Sequence, residues 1–182
     1  MIISLTGFMG CGKSSIGKAL TLYFPEYDFI DLDKVIEKEY HNSVAEIFKT
    51  LGEKEFRKIE EETLKKTLNN YLISGKNLIL SLGGGTLTTV NCEKLIREKT
   101  ICIYLRCTID TLVKNISIDK SERPLLNGYT NLRNRIEELM SQRKDVYENT
   151  ATYIVDSEEG AEESSLLSLI SLIRSCTVDI PR

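Results

Sequence analysis

The sequence predicts an α/β protein of three layers, α/β/α, with a five-stranded parallel sheet in the middle. Two observations predict it. Five short apolar runs alternate with longer amphipathic stretches, and no repeat or Pro/Gly/Ser-rich linker splits the chain. Strands separated by helices are joined by crossovers, which make neighbouring strands parallel. A length of 182 residues suits one domain. With 41% hydrophobic and 28% charged residues, the chain has the balance of a globular protein that buries its own core.

The elements follow in order. Residues 2–6 form the first strand, and 13–24 read as a helix. Residues 27–30 form the second strand and 78–82 the third. The clearest helix covers 53–71, where Phe56, Ile59, Thr63, Leu64, Thr67, Leu68 and Tyr71 recur at spacings of three and four. Arg57 sits at the edge of that stripe. A helix at 92–98 precedes the fourth strand at 101–105, and another helix runs over 109–118. The helix 132–147 carries the stripe Leu132, Ile136, Leu139, Met140 and Arg143, with a charge where an apolar residue is expected. A side chain snorkelling at a helix edge is the plainer reading of Arg143. A fifth strand at 152–155 and a closing helix at 162–175 complete the chain. Residues 117–131 are polar and aperiodic, a length and composition that predict a mobile lid.

Composition excludes several functions. There are 24 basic and 27 acidic residues, a net charge of −3, so a broad nucleic-acid-coating surface is not expected. No apolar run is long enough to span a membrane. The start, Met1 to Gly7, lacks a basic segment and leads into a glycine loop, which predicts a cytoplasmic chain without a signal peptide. Five cysteines at irregular spacing predict free thiols rather than a zinc site or a disulfide framework. The single histidine, His41, excludes His-based triads. Chemistry must therefore run on Lys, Arg, Asp, Ser and backbone.

Gly7-Phe8-Met9-Gly10-Cys11-Gly12-Lys13-Ser14 fits the phosphate-binding pattern G-x-x-x-x-G-K-[ST], and it lies between a strand and a helix as that motif requires. The loop glycines let successive N–H groups point inward, where they and the helix N-terminus attract phosphate oxygens. Lys13 is expected to reach the β- and γ-phosphates, and the Ser14 hydroxyl to ligate Mg²⁺. Cys11 reads as a tolerated variable position. A nucleoside triphosphate and magnesium follow, but not the acceptor: kinases, GTPase switches, ATPases and binding modules all share this loop.

On the acceptor side, Asp31 and Asp33 end the second strand, where carboxyl ends of a parallel sheet face the ligand crevice. Alternation along a strand would aim both carboxylates the same way. One would support the water shell of Mg²⁺ and the other would orient a substrate hydroxyl. Asp33 as a helix N-cap is the competing reading. Gly83-Gly84-Gly85 follow the third strand and permit close approach of a ligand to bare backbone. Ser81 stands where related phosphate-loop proteins often have an Asp, which shifts metal support toward Asp31 through water. Arg57, Arg123 and Arg143 offer planar, bidentate recognition of carboxylate or phosphate. Arg123 in the lid, swung over the γ-phosphate, would contribute about 10³–10⁵ in rate.

Five segments taken together, namely Gly7 to Ser14, Phe29-Ile30-Asp31-Leu32-Asp33, Gly52-Glu53-x-x-Phe56-Arg57-x-x-Glu60, Leu82-Gly83-Gly84-Gly85 and Arg123-Pro124-Leu125-Leu126, resemble shikimate kinase, in order, over residues 1 to about 156. The resemblance implies a P-loop kinase fold and transfer of the ATP γ-phosphate to the 3-hydroxyl of shikimate, in the pathway to chorismate and aromatic amino acids. It implies that Gly10, Cys11, Gly12, Lys13, Ser14, Ser15 and Arg123 bind the nucleotide. It implies that Asp33, Arg57, Gly84 and Arg143 bind the substrate, with the two arginines on its carboxylate. Lys13, Asp33 and Arg123 would be catalytic, and Ser14 and Asp31 would hold Mg²⁺. The expected organisation is one kinase domain over 1–176, a substrate-binding helical segment at 33–75 and a tail at 177–182, acting as a monomer on small molecules only.

Three features depart from the family's pattern. Ser15 replaces a common Thr. Lys114-Asn115 occupies a stretch where members often place an arginine near adenine, and Asp156-Ser157-Glu158-Glu159 follows the last strand where another often stands. On residues alone, other readings stay open: a gluconate kinase, a nucleoside monophosphate kinase, or a nucleotide-dependent module without turnover. A GTPase would carry an Asn-Lys-x-Asp base-reading motif, and the sequence has none.

Overall fold

In the computed structural model, which describes residues 1–119, 124–126, 131–157 and 162–178, the five apolar runs form one parallel sheet. They are β1 (Ile2–Thr6), β2 (Tyr27–Asp31), β3 (Asn77–Ser81), β4 (Ile101–Arg106) and β5 (Tyr153–Asp156). Their order across the sheet is β2-β3-β1-β4-β5. Every residue of β1 is buried, as a strand covered on both faces must be. Ile3 stands level with Ile79 on one side and with Ile101 on the other.

Eight helices of the described residues flank the sheet on both faces: α1 (Lys13–Leu20), α2 (Leu32–Tyr40), α3 (Val44–Leu51), α4 (Glu53–Ser74), α5 (Val90–Lys99), α6 (Ile109–Ile118), α7 (Leu132–Thr150) and α8 (Glu162–Val178). One core cluster runs through all three layers. The five cysteines are free thiols, as expected.

The differences from the sequence reading have local causes. The expected helix over 13–24 stops at Leu20, because the chain tightens into turns before Pro25, which disfavours helix in the residue preceding it. Between β2 and the long helix lie two further helices. α2 ends on His41 in the left-handed region, and the Ser43 hydroxyl caps α3 by accepting from the Glu46 N–H at 3.1 Å. α4 outlasts its apolar stripe and stops only at Gly75, whose φ of 66° is the left-handed cap that glycine favours. Of the expected lid, Pro124–Leu126 form a single 3-10 turn, and α6 runs into its first residues. Most of the rest, Arg123 included, lies outside the described residues. So does the end of the expected tail, while α8 continues to Val178.

The strand order positions the site. The chain leaves β1 toward β2 on one side and leaves β3 toward β4 on the other, passing β1. Ligands settle where such connections diverge, outside the carboxyl ends of the strands. Leu5 and Asp31 both pair with Ser81, so the ends of β1, β2 and β3 lie level at that rim.

Candidate active site

A cleft of about 1140 Å³ opens at this rim. It is lined by the loop after β1, by Asp31 and Asp33, by Arg57 and Glu60 of α4, by the three glycines after β3 and by Arg143 of α7. Thus Gly10, Cys11, Gly12, Lys13, Ser14, Ser15, Asp31, Asp33, Arg57, Gly84 and Arg143 all face one space. Lys114 and Asn115 of α6 and Asp119, which caps its C-terminus, line the same cleft.

The loop from Gly7 to Lys13 has the expected form. Gly10 and Gly12 have φ of 84° and 87°, a conformation that L side chains rarely adopt. Asn115 holds the loop from α6, its Nδ2 donating to the Gly10 carbonyl at 2.8 Å. Lys13 is buried, and its ammonium donates to the carbonyls of Gly7 at 2.8 Å and Phe8 at 3.0 Å. The cation is thus stored within the loop, one side-chain swing from any phosphate that enters.

Behind the loop, the Ser14 hydroxyl donates to Asp31 Oδ2 and lies 3.3 Å from Ser81 Oγ. These are hard oxygen donors grouped at the ends of α1, β2 and β3. That donor set suits Mg²⁺, which keeps several waters and takes its other ligands from phosphates.

The strand argument for Asp31 and Asp33 needs correction. Asp31 ends β2 and is itself the N-cap of α2, accepting from the Lys34 N–H at 3.3 Å. Asp33 lies in the first helical turn, so it is neither the cap nor a strand residue. The helix delivers it to the cleft instead. Burial first, then the Glu60 and Asp31 carboxylates, push the Asp33 pKa up to about 7. Its carboxylate is therefore ready to take a proton near neutral pH.

Arg57 is held on every side. Its Nη1 donates to Glu60 at 2.7 Å and its Nη2 to Glu53 at 3.1 Å. Its guanidinium lies 5.7 Å from the Phe48 ring centre and 5.5 Å from that of Phe56. Its Nε has no acceptor among the described residues. Glu60 is fully buried and also accepts from the Thr86 hydroxyl at 2.5 Å. Sequence reasoning gave Glu60 no role, although its signal was present. It falls four residues after Phe56 and four before Leu64, a charge on the apolar stripe of α4.

The snorkelling reading of Arg143 fails. Only 5% of the residue is exposed, and it turns inward. Its Nη1 donates to the Gly84 carbonyl at 3.1 Å, and its guanidinium lies 5.7 Å from the Phe8 ring centre. The buried Tyr147 hydroxyl donates to the same carbonyl. Burial pushes the Tyr147 pKa up, which keeps the phenol a donor. Sequence reasoning gave Tyr147 no role either, although it stands in the run Gln142-Arg143-x-x-x-Tyr147. It lies one helical turn beyond Arg143 on the same face, which is the signal that would have found it.

The three glycines make room for the protein's own groups. A Cβ on Gly83 would lie 2.8 Å from Glu60 Oε1 and 2.9 Å from Asp33 Oδ1. On Gly84 it would press at 3.0 Å on the Met9 backbone nitrogen, and on Gly85 it would come within 2.8 Å of Arg57 Cζ. Each glycine lets a different part of the site close on the rim.

Known proteins agree with this geometry. The shikimate kinase family profile matches residues 9–174. A shikimate kinase of Chlorobium phaeobacteroides is 40% identical over 175 residues, covering 92% of this chain and 88% of that one. One from Dictyoglomus turgidum is 34% identical, covering 94% and 96%. The structure of shikimate kinase from Acinetobacter baumannii in complex with shikimate superposes with a TM-score of 0.86 at 29% identity, covering 96% of this chain and 93% of that chain. With the phosphate loop, the level strand ends and the arginine-flanked glycine rim in one cleft, the chain belongs to the shikimate kinase family, ATP-dependent phosphotransferases.

Proposed function

We propose that the chain transfers the γ-phosphoryl group of ATP to the 3-hydroxyl of shikimate, giving shikimate 3-phosphate and ADP, and that the residues of the cleft divide this work as follows. One observation carries the acceptor assignment: two arginines, the half-buried Arg57 and the buried Arg143, attend adjacent glycines of one rim, and Asp33 and the phosphate loop line the same cleft. A small polyhydroxylated acid needs cations for its carboxylate and an acceptor for its reacting hydroxyl. Arg57, Arg143 and the Gly84 backbone hold the acid, and Asp33 orients the 3-hydroxyl and takes its proton.

The N–H groups of Gly10, Cys11, Gly12, Lys13, Ser14 and Ser15 bind the phosphates. Lys13 leaves the loop carbonyls for the β- and γ-phosphates, where its charge follows the one that develops in the transition state. Ser14, and Asp31 through water, would hold Mg²⁺, which would supply neutralisation of phosphate charge there. Arg123 and the 117–131 lid cover the phosphates and exclude water, a competing acceptor. Little covalent work falls to the protein, because phosphoryl transfer needs mostly positioning and charge.

The protein works as a cytoplasmic monomer, with 1–176 as one kinase domain, 33–75 as its substrate-binding segment and 177–182 as its tail. The test is a coupled ADP-release assay over a panel of acceptors that includes shikimate, gluconate and nucleoside monophosphates. Turnover confined to shikimate supports the reading. Turnover on another acceptor, or ATP binding without acceptor-dependent turnover, overturns it.

A further inference from the structure

The phosphate loop carries a pair of thiols that phosphoryl transfer does not use. Cys11 lies within the loop and Cys107 directly follows β4. Because Thr6 of β1 pairs with Tyr104 of β4, both positions sit at the same rim. Cys107 Sγ donates to the Cys11 carbonyl oxygen at 3.9 Å, which holds the two residues side by side. Lys13 Nζ lies 3.6 Å from Cys11 Sγ. The Cys11 sulfur fills space that only a glycine at position 7 leaves free, since a Cβ there would lie 2.8 Å from it. Cys11 is buried at 2% exposure but borders the cleft, the side from which a small oxidant entering the phosphate site approaches it.

We infer that Cys11 and Cys107 form an oxidisable dithiol, and that a hydroperoxide converts it to a disulfide that shuts the nucleotide site. Cys11 is the attacking thiol of the pair: burial pushes Cys92 up to about 12 and Cys102 up to about 11, and Cys107, which resolves, is raised too by its Cys11 neighbour and its burial. The Cys11 thiol is held below its ordinary value by the hydrogen bond from Cys107 and, against its burial, by the Lys13 ammonium.

The chemistry balances with hydrogen peroxide as oxidant. The Cys11 thiolate attacks one peroxide oxygen, the O–O bond breaks, and the departing hydroxide takes up the thiol proton as water. The Cys107 sulfur then attacks the sulfenic sulfur. The S–S bond forms, the S–O bond breaks, and a second water leaves with the Cys107 proton. Two thiols are oxidised and one peroxide is reduced to two waters. The new bond ties the loop to the end of β4 and draws Cys11 off its place in the cradle. By linkage, phosphates that hold the loop open and recruit Lys13 oppose the bond.

The experiment uses the full reduced chain, titrated with hydrogen peroxide. Intact mass, peptide mapping and ATP affinity by calorimetry are followed, and none of these readouts depends on the acceptor. The expected result is loss of two hydrogens in mass and a Cys11–Cys107 cross-linked peptide. ATP affinity falls by about tenfold or more and returns on adding dithiothreitol. Mg-ATP present from the start slows cross-linking. Cys107→Ser binds ATP like the parent before oxidation and gains oxygen on Cys11 without a cross-link. The inference is overturned if no cross-link forms, if it joins other cysteines, or if the cross-linked protein binds ATP as the reduced one does.

Discussion

The proposed reaction gives Lys13, Asp33 and Arg57 three separable jobs, so their loss should damage three different quantities. Lys13→Ala should keep the fold, because its bonds to the Gly7 and Phe8 carbonyls are local to the loop, but lower kcat/KM about a hundredfold or more. Near-native turnover in the purified variant would contradict the loop assignment. Arg57→Ala should raise the KM for the acid about tenfold to a hundredfold with ATP affinity intact, since it grips a group that does not react. An unchanged KM would make Arg57 a packing residue. Asp33→Asn should depress kcat far more than ATP binding, and it should also stabilise the free protein. The folded-state pKa of about 7 lies above the ordinary 3.8. Between those values the folded protein keeps a proton that the unfolded chain has released, so stability falls as pH rises, and the deficit is complete above pH 7. Thermal unfolding should therefore give equal midpoints near pH 4 and a variant several degrees higher at about pH 8. Equal midpoints at both would mean that Asp33 carries no burial cost. All three residues were legible in the sequence by type and spacing. Glu60 and Tyr147 were given no role: each stands out by type and spacing on its own helix, but the Thr86 hydroxyl and the Gly84 carbonyl that they bond belong to other segments and leave no trace in local periodicity.

At the scale of elements, the rim of three glycines is where sequence and structure part most usefully. The run itself predicted an approach to bare backbone. The structure adds that Arg57, Glu60 and Asp33 press against it from inside. Gly85→Ala should thus act as a remote Arg57 variant, since its methyl would push the guanidinium aside. We expect a several-fold rise in the KM for the acid with kcat/KM for ATP little changed, measured by steady-state kinetics. Equal damage to both substrates would point to a general collapse of the rim. The 3.6-residue period made α4 legible, and the alternation of apolar runs and helices made the sheet legible. α2 and α3 were not separated in advance, because their boundaries rest on His41 in a left-handed turn and on Gly52 with φ of 80°, choices settled by packing against α4.

Across the molecule, the site exists only as a junction of distant segments. Residues near positions 10, 33, 57, 84 and 143 meet because β1, β2 and β3 end level beneath them. No pattern in the chain states the strand order, which is why the fold class could be read while the neighbours of β1 could not. Metal dependence belongs to this scale too, since Ser14, Asp31 and Ser81 come from three elements. Chelation by EDTA should abolish turnover and added Mg²⁺ should restore it, and a rate indifferent to EDTA would remove the metal from the scheme. Strand order also bears on synthesis. β1, synthesised before the other four strands of the sheet, pairs at Ile3 with Ile79 and Ile101. β1 has no partner until β3 at 77–81 emerges and lacks its second until β4 at 101–106 does, and until then an apolar strand waits unpaired. Nascent chains stalled before residue 77 should accordingly be the ones that chaperones hold.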